Sequence, residues 1–536
     1  MESMKKIINI FAAALCLPLA AQNINQTVQV TNDYVTRFAD VQKQGGGMRV
    51  PDSLYRFDYN FDYSVFETPY KGSYEFSPYR IQVTPQARLY DGRKLYLRAG
   101  AGYTLHPQFE LAWQMLQEKN YTIGLYADGL GFWGEYGGKA PFKGHDLNGR
   151  VAVNGQCLLP STRLSYSFGY DGIFAGQDVA NPAFNSGVVM GRVQSRERPG
   201  NYLFYDFNIL YRYSSDSNDA ALNKSNVGES SLQVGLSAGP VLKQKYKILI
   251  DGFFAMESLR FQDMMFGTGQ TINLGRLRPH LDFELGPVRL DAGVRIDFSV
   301  SKNGTDKKTT FAPDVSARFA ILDADLELFA GVSGGQEINT HYQLKQLNHF
   351  ALRSIAPASV SREKLRIRAG AEGHIKAGLQ YSVEGGYVSH AQAPLLALGG
   401  IDYADYKEIY AQVALNYRSE RLQVDGNFRY AHLTLPEQVP AYAPAAITAD
   451  LRGVWNWDRK VFAGLFAEAS SSRRSLTPGI DPMAAYVNLG LTGEYCISPG
   501  WTVWVEGGNL IGMAIERMPG FIEKGPYATL GFSLTL

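Results

Sequence analysis

The chain has 536 residues, 12% of them aromatic, with a formal net charge of +1 and three cysteines. Near-neutrality argues against nucleic acid as a partner, since a sequence-independent grip on it draws on positive charge. Cys16, Cys157 and Cys496 are too few and too far apart for a disulfide framework, and no CxxC pair points to a metal.

Met1–Lys6 holds two lysines, Lys5 and Lys6, and an apolar run Ile7–Leu19 and then Ala20–Ala21–Gln22 follow. That order is a secretory signal peptide, residues 1–21, cut after Ala21. Residues 22–93 read as an extended N-terminal arm, periplasmic or partly in the lumen of a barrel. Tyr55, Phe57, Tyr59, Phe61, Tyr63 and Phe66 crowd its middle, while Pro51, Pro69, Pro78 and Pro85 keep regular sheet out of it. Near its start, Thr27, Val28, Gln29, Val30 and Thr31 alternate between two residue types and a glutamine.

From Lys94 the pattern changes. Val288, Leu290, Ala292, Val294, Ile296, Phe298 and Val300 are apolar, and Arg289, Asp291, Gly293, Arg295, Asp297 and Ser299 stand between them. A strict period of two over about a dozen residues is a strand with one oily and one wet face. Such a strand is long enough to cross a bilayer at a tilt. Similar alternation recurs at Leu326–Val332, Leu365–Ile375 and Leu422–Tyr430. Ile272 and Leu274 share one parity and Leu281, Phe283 and Leu285 the other, so a bulge is expected at Gly275.

Short turns, such as Gln117–Lys119, Gly286–Pro287 and Ser498–Gly500, alternate with long connections. The long ones are Gly131–Gly144, Ile173–Phe184, Ser214–Gly228, Ser258–Gly269, Ser301–Lys308, Gly335–Glu363, Ala391–Asp405, Thr434–Ala445, Ser472–Asp481 and Leu510–Gly525. Outer-membrane barrels place short turns in the periplasm and long loops outside. With a tight first hairpin around Thr104–Pro107, about twenty-two strands are expected. The fold class is all-β: a transmembrane antiparallel barrel over residues 94–536, in the outer membrane, with lipid against its apolar face.

Arg289, Asp291, Arg295, Asp297, Arg366, Arg368, Glu372, His374, Asp425, Asn427 and Arg429 have the parity of lumen-lining residues. Opposite charges on neighbouring strands form stiffening ladders or line a water-filled path. Their mixture argues against strong ion selectivity. In Gly131–Gly144, Phe132, Trp133, Tyr136 and Phe142 either contact a sugar or partner protein, or fold inward over the mouth. Gly335–Glu363 is the longest loop and holds Tyr342, His349 and Phe350; its length suits a lid or a docking surface.

Catalytic chemistry finds little support. Ser237 and Ser333 sit in G-x-S-x-G matches, but both fall in expected strands, and a nucleophile elbow needs a strand-to-helix turn. The eight histidines show no HExxH spacing. Ser214–Asp219 lacks the glycine and final glutamate of a calcium loop and reads as a solvated loop. No enzyme activity, metal or cofactor is expected.

The last hairpin carries a resemblance. Trp501–Asn509 is a strand, Pro519–Gly520 lies in the final loop, and Tyr527, Leu530, Phe532, Leu534 and Leu536 resemble the terminal strand read by the barrel-assembly machinery. With the strand number, the region from Lys94 resembles the barrel of TonB-dependent receptors. Two departures stand out. The chain ends in Leu536 where the family usually has an aromatic residue, and the arm is shorter than the family's folded plug. The chain therefore resembles the plugless, receptor-like barrels common in Bacteroidetes, and Thr27–Thr31 resembles a TonB box, which pairs by strand addition. The resemblance implies passage or uptake of a solute across the outer membrane. Lipid, the assembly machinery, and TonB or another envelope protein are the implied partners. The alternative is a non-transporting barrel subunit of an envelope assembly or scaffold complex.

Overall fold

The computed structural model describes residues 94–536, apart from 104, 138–141, 177–181, 197–201, 221–222, 243–245, 262–268, 302–306, 322–324, 352–357, 376–377, 437–438 and 524. The signal peptide, the arm and the Thr27–Thr31 segment lie outside the described residues. So does the side chain of Phe142, whose backbone is described.

Each strand pairs antiparallel with the next, from Leu95–Tyr103 through Trp501–Gly508. The last strand, Tyr527–Thr535, pairs with Trp501–Gly508 on one side and with Leu95–Tyr103 on the other. The wall is thus a closed barrel of 22 strands, and the short pieces Ile515–Met518 and Phe521–Glu523 make up the 24 of the whole sheet. Closure leaves no edge, so every wall amide has a neighbour in a medium that offers no water.

The outer surface fixes the membrane level. Along Leu203–Ala220 the outward residues are Leu203, Tyr205, Phe207, Ile209, Tyr211 and Tyr213, and then Ser215 and Ser217. On the paired strand Asn223–Leu242, outward residues are apolar or proline from Leu242 up to Leu232, and Ser230, Gly228 and Asn226 follow. On Tyr246–Phe261 the change falls between Met256 and Ser258. Each apolar stretch is 11 residues long, about the length a tilted strand needs to cross the hydrocarbon. Strand above Tyr213, Leu232 and Met256 stands outside the membrane.

The wall is uneven in height. Trp501–Gly508, Tyr527–Thr535, Leu95–Tyr103 and Gln108–Gln117 have 8, 9, 9 and 10 residues. Leu203–Ala220, Asn223–Leu242, Leu379–Ala397 and Gly400–Arg418 have 18, 20, 19 and 19. This corrects the expected loops. Strand continues through most of Gly131–Gly144, Ile173–Phe184, Ser214–Gly228 and Ala391–Asp405; the last is reduced to a turn at Leu398–Gly399. Outward positions there turn polar or glycine because they leave the lipid, and ladder pairing carries on without an apolar face. Ser214–Asp219 is accordingly strand and not a solvated loop.

The bulge expected at Gly275 is absent: Gln270–Leu285 pairs with both neighbours without a shift of register. Ile272 and Leu274 are buried because they face inward, into a cluster with Val227, Ala255, Leu259, Ile338 and Ala358. The apolar face changes sides because at that height the interior is filled. Ser237 and Ser333 both lie inside antiparallel strands.

Candidate functional site: a cover across the mouth

Ile338 and Ala358 are the feet of the segment that fills the mouth. A bulge at Ser333/Gly335 starts it. Gly335 has φ +141°, and a Cβ there would lie 2.2 Å from the Arg295 guanidinium. This geometry presents the Gln336 backbone to three side chains. Its N–H donates to Asp297 Oδ2 at 2.6 Å, and its carbonyl accepts from Arg276 at 2.7 Å and from Arg295 at 2.6 Å. Asp297 is fully buried and binds both arginines as well.

Beyond Asn339 the chain makes a seven-residue helix, His341–Leu347, opened by a capping box between Thr340 and Gln343. The helix lies inside the barrel mouth. His341 Nε2 is 2.9 Å from Asp216 Oδ2, and Lys345 Nζ is 3.3 Å from the same oxygen. Burial alone would raise the Asp216 carboxyl; Lys345 and His341 outweigh it and hold the group below the usual carboxylate range. The N–H groups of His341 and Tyr342 donate to Glu257 Oε1 at 3.2 Å and Glu229 Oε1 at 3.1 Å. Arg212 sits 3.5 Å above the Tyr342 ring. All these wall residues except Arg212 stand above the apolar band.

After the helix the chain reaches other walls. Asn348 Nδ2 donates to the Gly400 carbonyl at 3.3 Å, and His349 Nδ1 meets Asp146 at 2.8 Å. Phe350 stacks on Phe521 with centroids 3.8 Å apart. Phe521 belongs to the final-loop hairpin, whose Ile522 and Glu523 pair with Gly137 and Tyr136. Phe132, Tyr136, Ala175, Met518 and Phe350 close around this stack. Arg517 anchors the hairpin to Glu468 at 2.7 Å and ties its two strands together through Glu523 at 2.8 Å, and Arg473 donates to the Arg517 carbonyl at 3.1 Å. A further inward cluster joins Ala441, Ala443 and Leu476 to Ala393, Leu395, Ala404 and Tyr406. Two main pieces therefore fold into the mouth, the 339–351 segment and the 515–523 hairpin, and they meet at one aromatic seam.

Of the loop aromatics singled out in the sequence, Phe132 and Tyr136 point inward into this seam. Trp133 points outward, 54% exposed, beside His145.

The charged residues singled out on the wall strands are paired, on the face opposite the exposed apolar one. Arg289 reaches Asp282 at 3.3 Å, and Asp291 takes Arg278 at 2.8 Å and His280 at 2.9 Å. Arg295 and Asp297 pair at 2.9 Å. Arg366 binds Glu363 in a two-bond fork, Arg368 lies 3.7 Å from Glu384, and Glu372 takes Arg318 at 2.6 Å. His374 meets Asp325 at 3.0 Å, and Asn416 donates to Asp425. Gln412 donates to Asn427 at 3.3 Å, and Arg429 reaches Glu408 at 3.1 Å. Geometrically most of these are cross-strand pairs, while Arg295–Asp297 and Arg366–Glu363 lie within one strand. In the last strand, Leu530, Phe532 and Leu536 face outward, Leu534 is partly covered, and Tyr527 faces inward with its ring 4.0 Å from His106.

Sequence reasoning missed the wall partners of the cover: Asp146, Asp216, Glu229 and Glu257. The signal for them was the parity reversal at Ile272 and Leu274, which marks an inner face covered by something apolar.

The sequence matches no family model and no curated relative. In solved structures the same barrel recurs. The copper transporter OprC matches with a TM-score of 0.61 and 14% identity, over 83% of this chain and 80% of that one. The FrpB iron transporter from Neisseria meningitidis matches at 0.64 and 10%, over 84% and 83%. The ferric-catecholate import receptor Fiu from E. coli K12 matches at 0.63 and 10%, over 84% and 82%. The shared feature is the fold. A closed barrel of this size with an apolar outer band is an outer-membrane protein.

Proposed function

We propose that the chain is an outer-membrane transport protein, similar to TonB-dependent receptors, that passes or takes up a solute through a barrel whose mouth is gated. The observation that carries this is the seam: the two cover pieces come from different loops and meet through ring stacking. Parting them requires no break in the wall. The fold it shares with a copper transporter, an iron transporter and a ferric-catecholate import receptor supports the same reading. The mixed, paired wall charges suit a path that does not select strongly for either sign.

The test is conductance of the full chain in planar bilayers, alone and with Phe521→Ala. Discrete conductance that grows in the variant is expected; no pore in either form overturns the reading. Engagement of TonB rests on Thr27–Thr31 and strand addition. Val28→Pro should abolish energy-dependent uptake, and unchanged uptake discards TonB as a partner. Lipid on the apolar band and the assembly machinery at the last strand are the other partners in this reading.

A second reading is favoured by one observation. Lys345 and His349 are both buried and held by wall carboxylates, which suits a permanently closed surface. The chain would then be a barrel subunit of an envelope assembly or scaffold complex. Affinity purification from the native membrane would recover a stoichiometric partner in that case, and a lone barrel would count against it.

A further inference from the structure

Glu229 and Glu257 sit side by side on adjacent strands, above the membrane level, beneath the start of the cover helix. Their side chains are among the most buried in the protein, 0% and 1% exposed. One oxygen of each, Oε1, accepts a backbone N–H from the helix. The other oxygen of each, Oε2, is buried with no N–H or O–H partner among the described residues. The two carboxyls are within hydrogen-bonding reach of one another, and the Ser231 hydroxyl also reaches Glu257.

Neither glutamate has an ion pair among the described residues. The cations that face them are committed elsewhere: Lys345 to Asp216, and Arg212 to Asp171 and the Tyr342 ring. The other titratable groups packed around the pair are His341 and Asp216, which bind each other. From the far neighbour strand, Ile272 sits opposite Glu257 and brings only hydrocarbon. No group of three or more His, Cys, Asp or Glu side chains that could hold a metal occurs among the described residues. Two buried, adjacent carboxylates with no counter-charge are untenable, and one proton between them removes both the second charge and the orphaned acceptors.

We propose that Glu229 and Glu257 share one proton, and that this shared proton latches the helix His341–Leu347 onto the tall side of the wall. The proton makes one carboxyl the donor and the other the acceptor, and each still accepts its helix N–H. Losing it to a base in solution leaves two like charges side by side, and the relief is for the helix to lift and admit water. Burial first, and then the Glu229 carboxyl, push Glu257 up to about 10. The docked state therefore holds a proton that the undocked state, with an ordinary glutamate, has already lost. By linkage, the pair's contribution to docking weakens as pH rises from the usual carboxylate range towards about 10. The inference rests on the proposed movable cover, but not on passage of any solute.

Hydrogen exchange, read by mass spectrometry on the full chain in detergent with a metal chelator, tests it without measuring transport. Protection of peptides spanning His341–Phe350, corrected for intrinsic exchange, should fall between pH 6 and pH 9, by at most about tenfold per pH unit for one proton. In Glu257→Gln the amide replaces the protonated carboxyl as donor to Glu229, and protection should change by less than about twofold over the same range. Glu229→Gln, the reciprocal variant, should behave alike and covers the case in which the first does not fold. His341→Gln should keep the wild-type slope. A flat wild-type profile, or a wild-type slope retained in both glutamine variants, overturns the proposal. If the latch responds as expected while bilayers show no conductance, the transport reading fails and the latch stands.

Discussion

Phe350 and Phe521 lie face to face, with ring centroids 3.8 Å apart and planes 10° from parallel, and Tyr136 meets both edge-on. They join two loops that are otherwise anchored to different parts of the wall. Stacked aromatic pairs contribute about 0.5–1.5 kcal/mol beyond their burial. Phe350→Ala and Phe521→Ala should each raise the open fraction of the mouth severalfold. A double-mutant cycle on hydrogen-exchange protection should give a coupling near 1 kcal/mol. Additive effects would show that the rings do not hold each other.

Gly335 should not tolerate a side chain. Its φ is positive, and a Cβ would strike Arg295. Gly335→Val combines backbone strain of roughly 1–3 kcal/mol with displacement of the guanidinium. The expected result is a barrel that still forms but a cover that exchanges faster, seen as lost protection at Gln336–Phe350 with wall strands unchanged. Wild-type protection in the variant would refute this account of the bulge.

Asp297 should be the costliest single carboxylate at the foot of the cover. It is fully buried and accepts from Arg276, Arg295 and the Gln336 N–H. Asp297→Asn leaves two guanidinium groups around a neutral amide, a loss of about 3–5 kcal/mol by analogy with broken buried pairs. The temperature at which the folded band is lost on gels in dodecyl sulfate should drop markedly. Arg289→Gln, at an exposed pair, should leave it within about 0.5 kcal/mol.

The membrane level can be read from lysine substitutions along one strand. Ile250 lies mid-band on Tyr246–Phe261 and faces outward, while Ser258 follows the last apolar position. Ile250→Lys should cost about 2–4 kcal/mol and Ser258→Lys about 0–1, measured by denaturant unfolding from lipid vesicles. Equal costs would mean that the band is drawn in the wrong place.

These levels also explain what the sequence could and could not reveal. Inside the lipid every second residue must be apolar, so Val288–Ser301 and its kin are legible and the strand number follows. Above it that constraint lapses. Pairing alone holds Gly131–Gly137 and Ser214–Ala220 in the wall, and pairing has no composition, so both look like loops. The cover was legible only as length. Its partners Asp146, Asp216, Glu229 and Glu257 are scattered over strands remote in the chain, and no spacing rule collects them. The reversal at Ile272 and Leu274 carried the missing fact, because a change of apolar side without a change of register means that something oily lies within.

The unequal strands have a mechanical consequence. Where the first and last strands join, the ladder is 9 residues long on each side, against 18 and 20 at Leu203–Ala220 and Asn223–Leu242. Force applied along the ladder is resisted by the hydrogen bonds it must shear, so this joint, with 8 paired positions against 18 on the tall side, yields before the tall side. It is also the one that must zip last, after both termini have been inserted. A molecule pulled by its C-terminus should shed Trp501–Thr535 as its first discrete rupture, and the tall side should tear last.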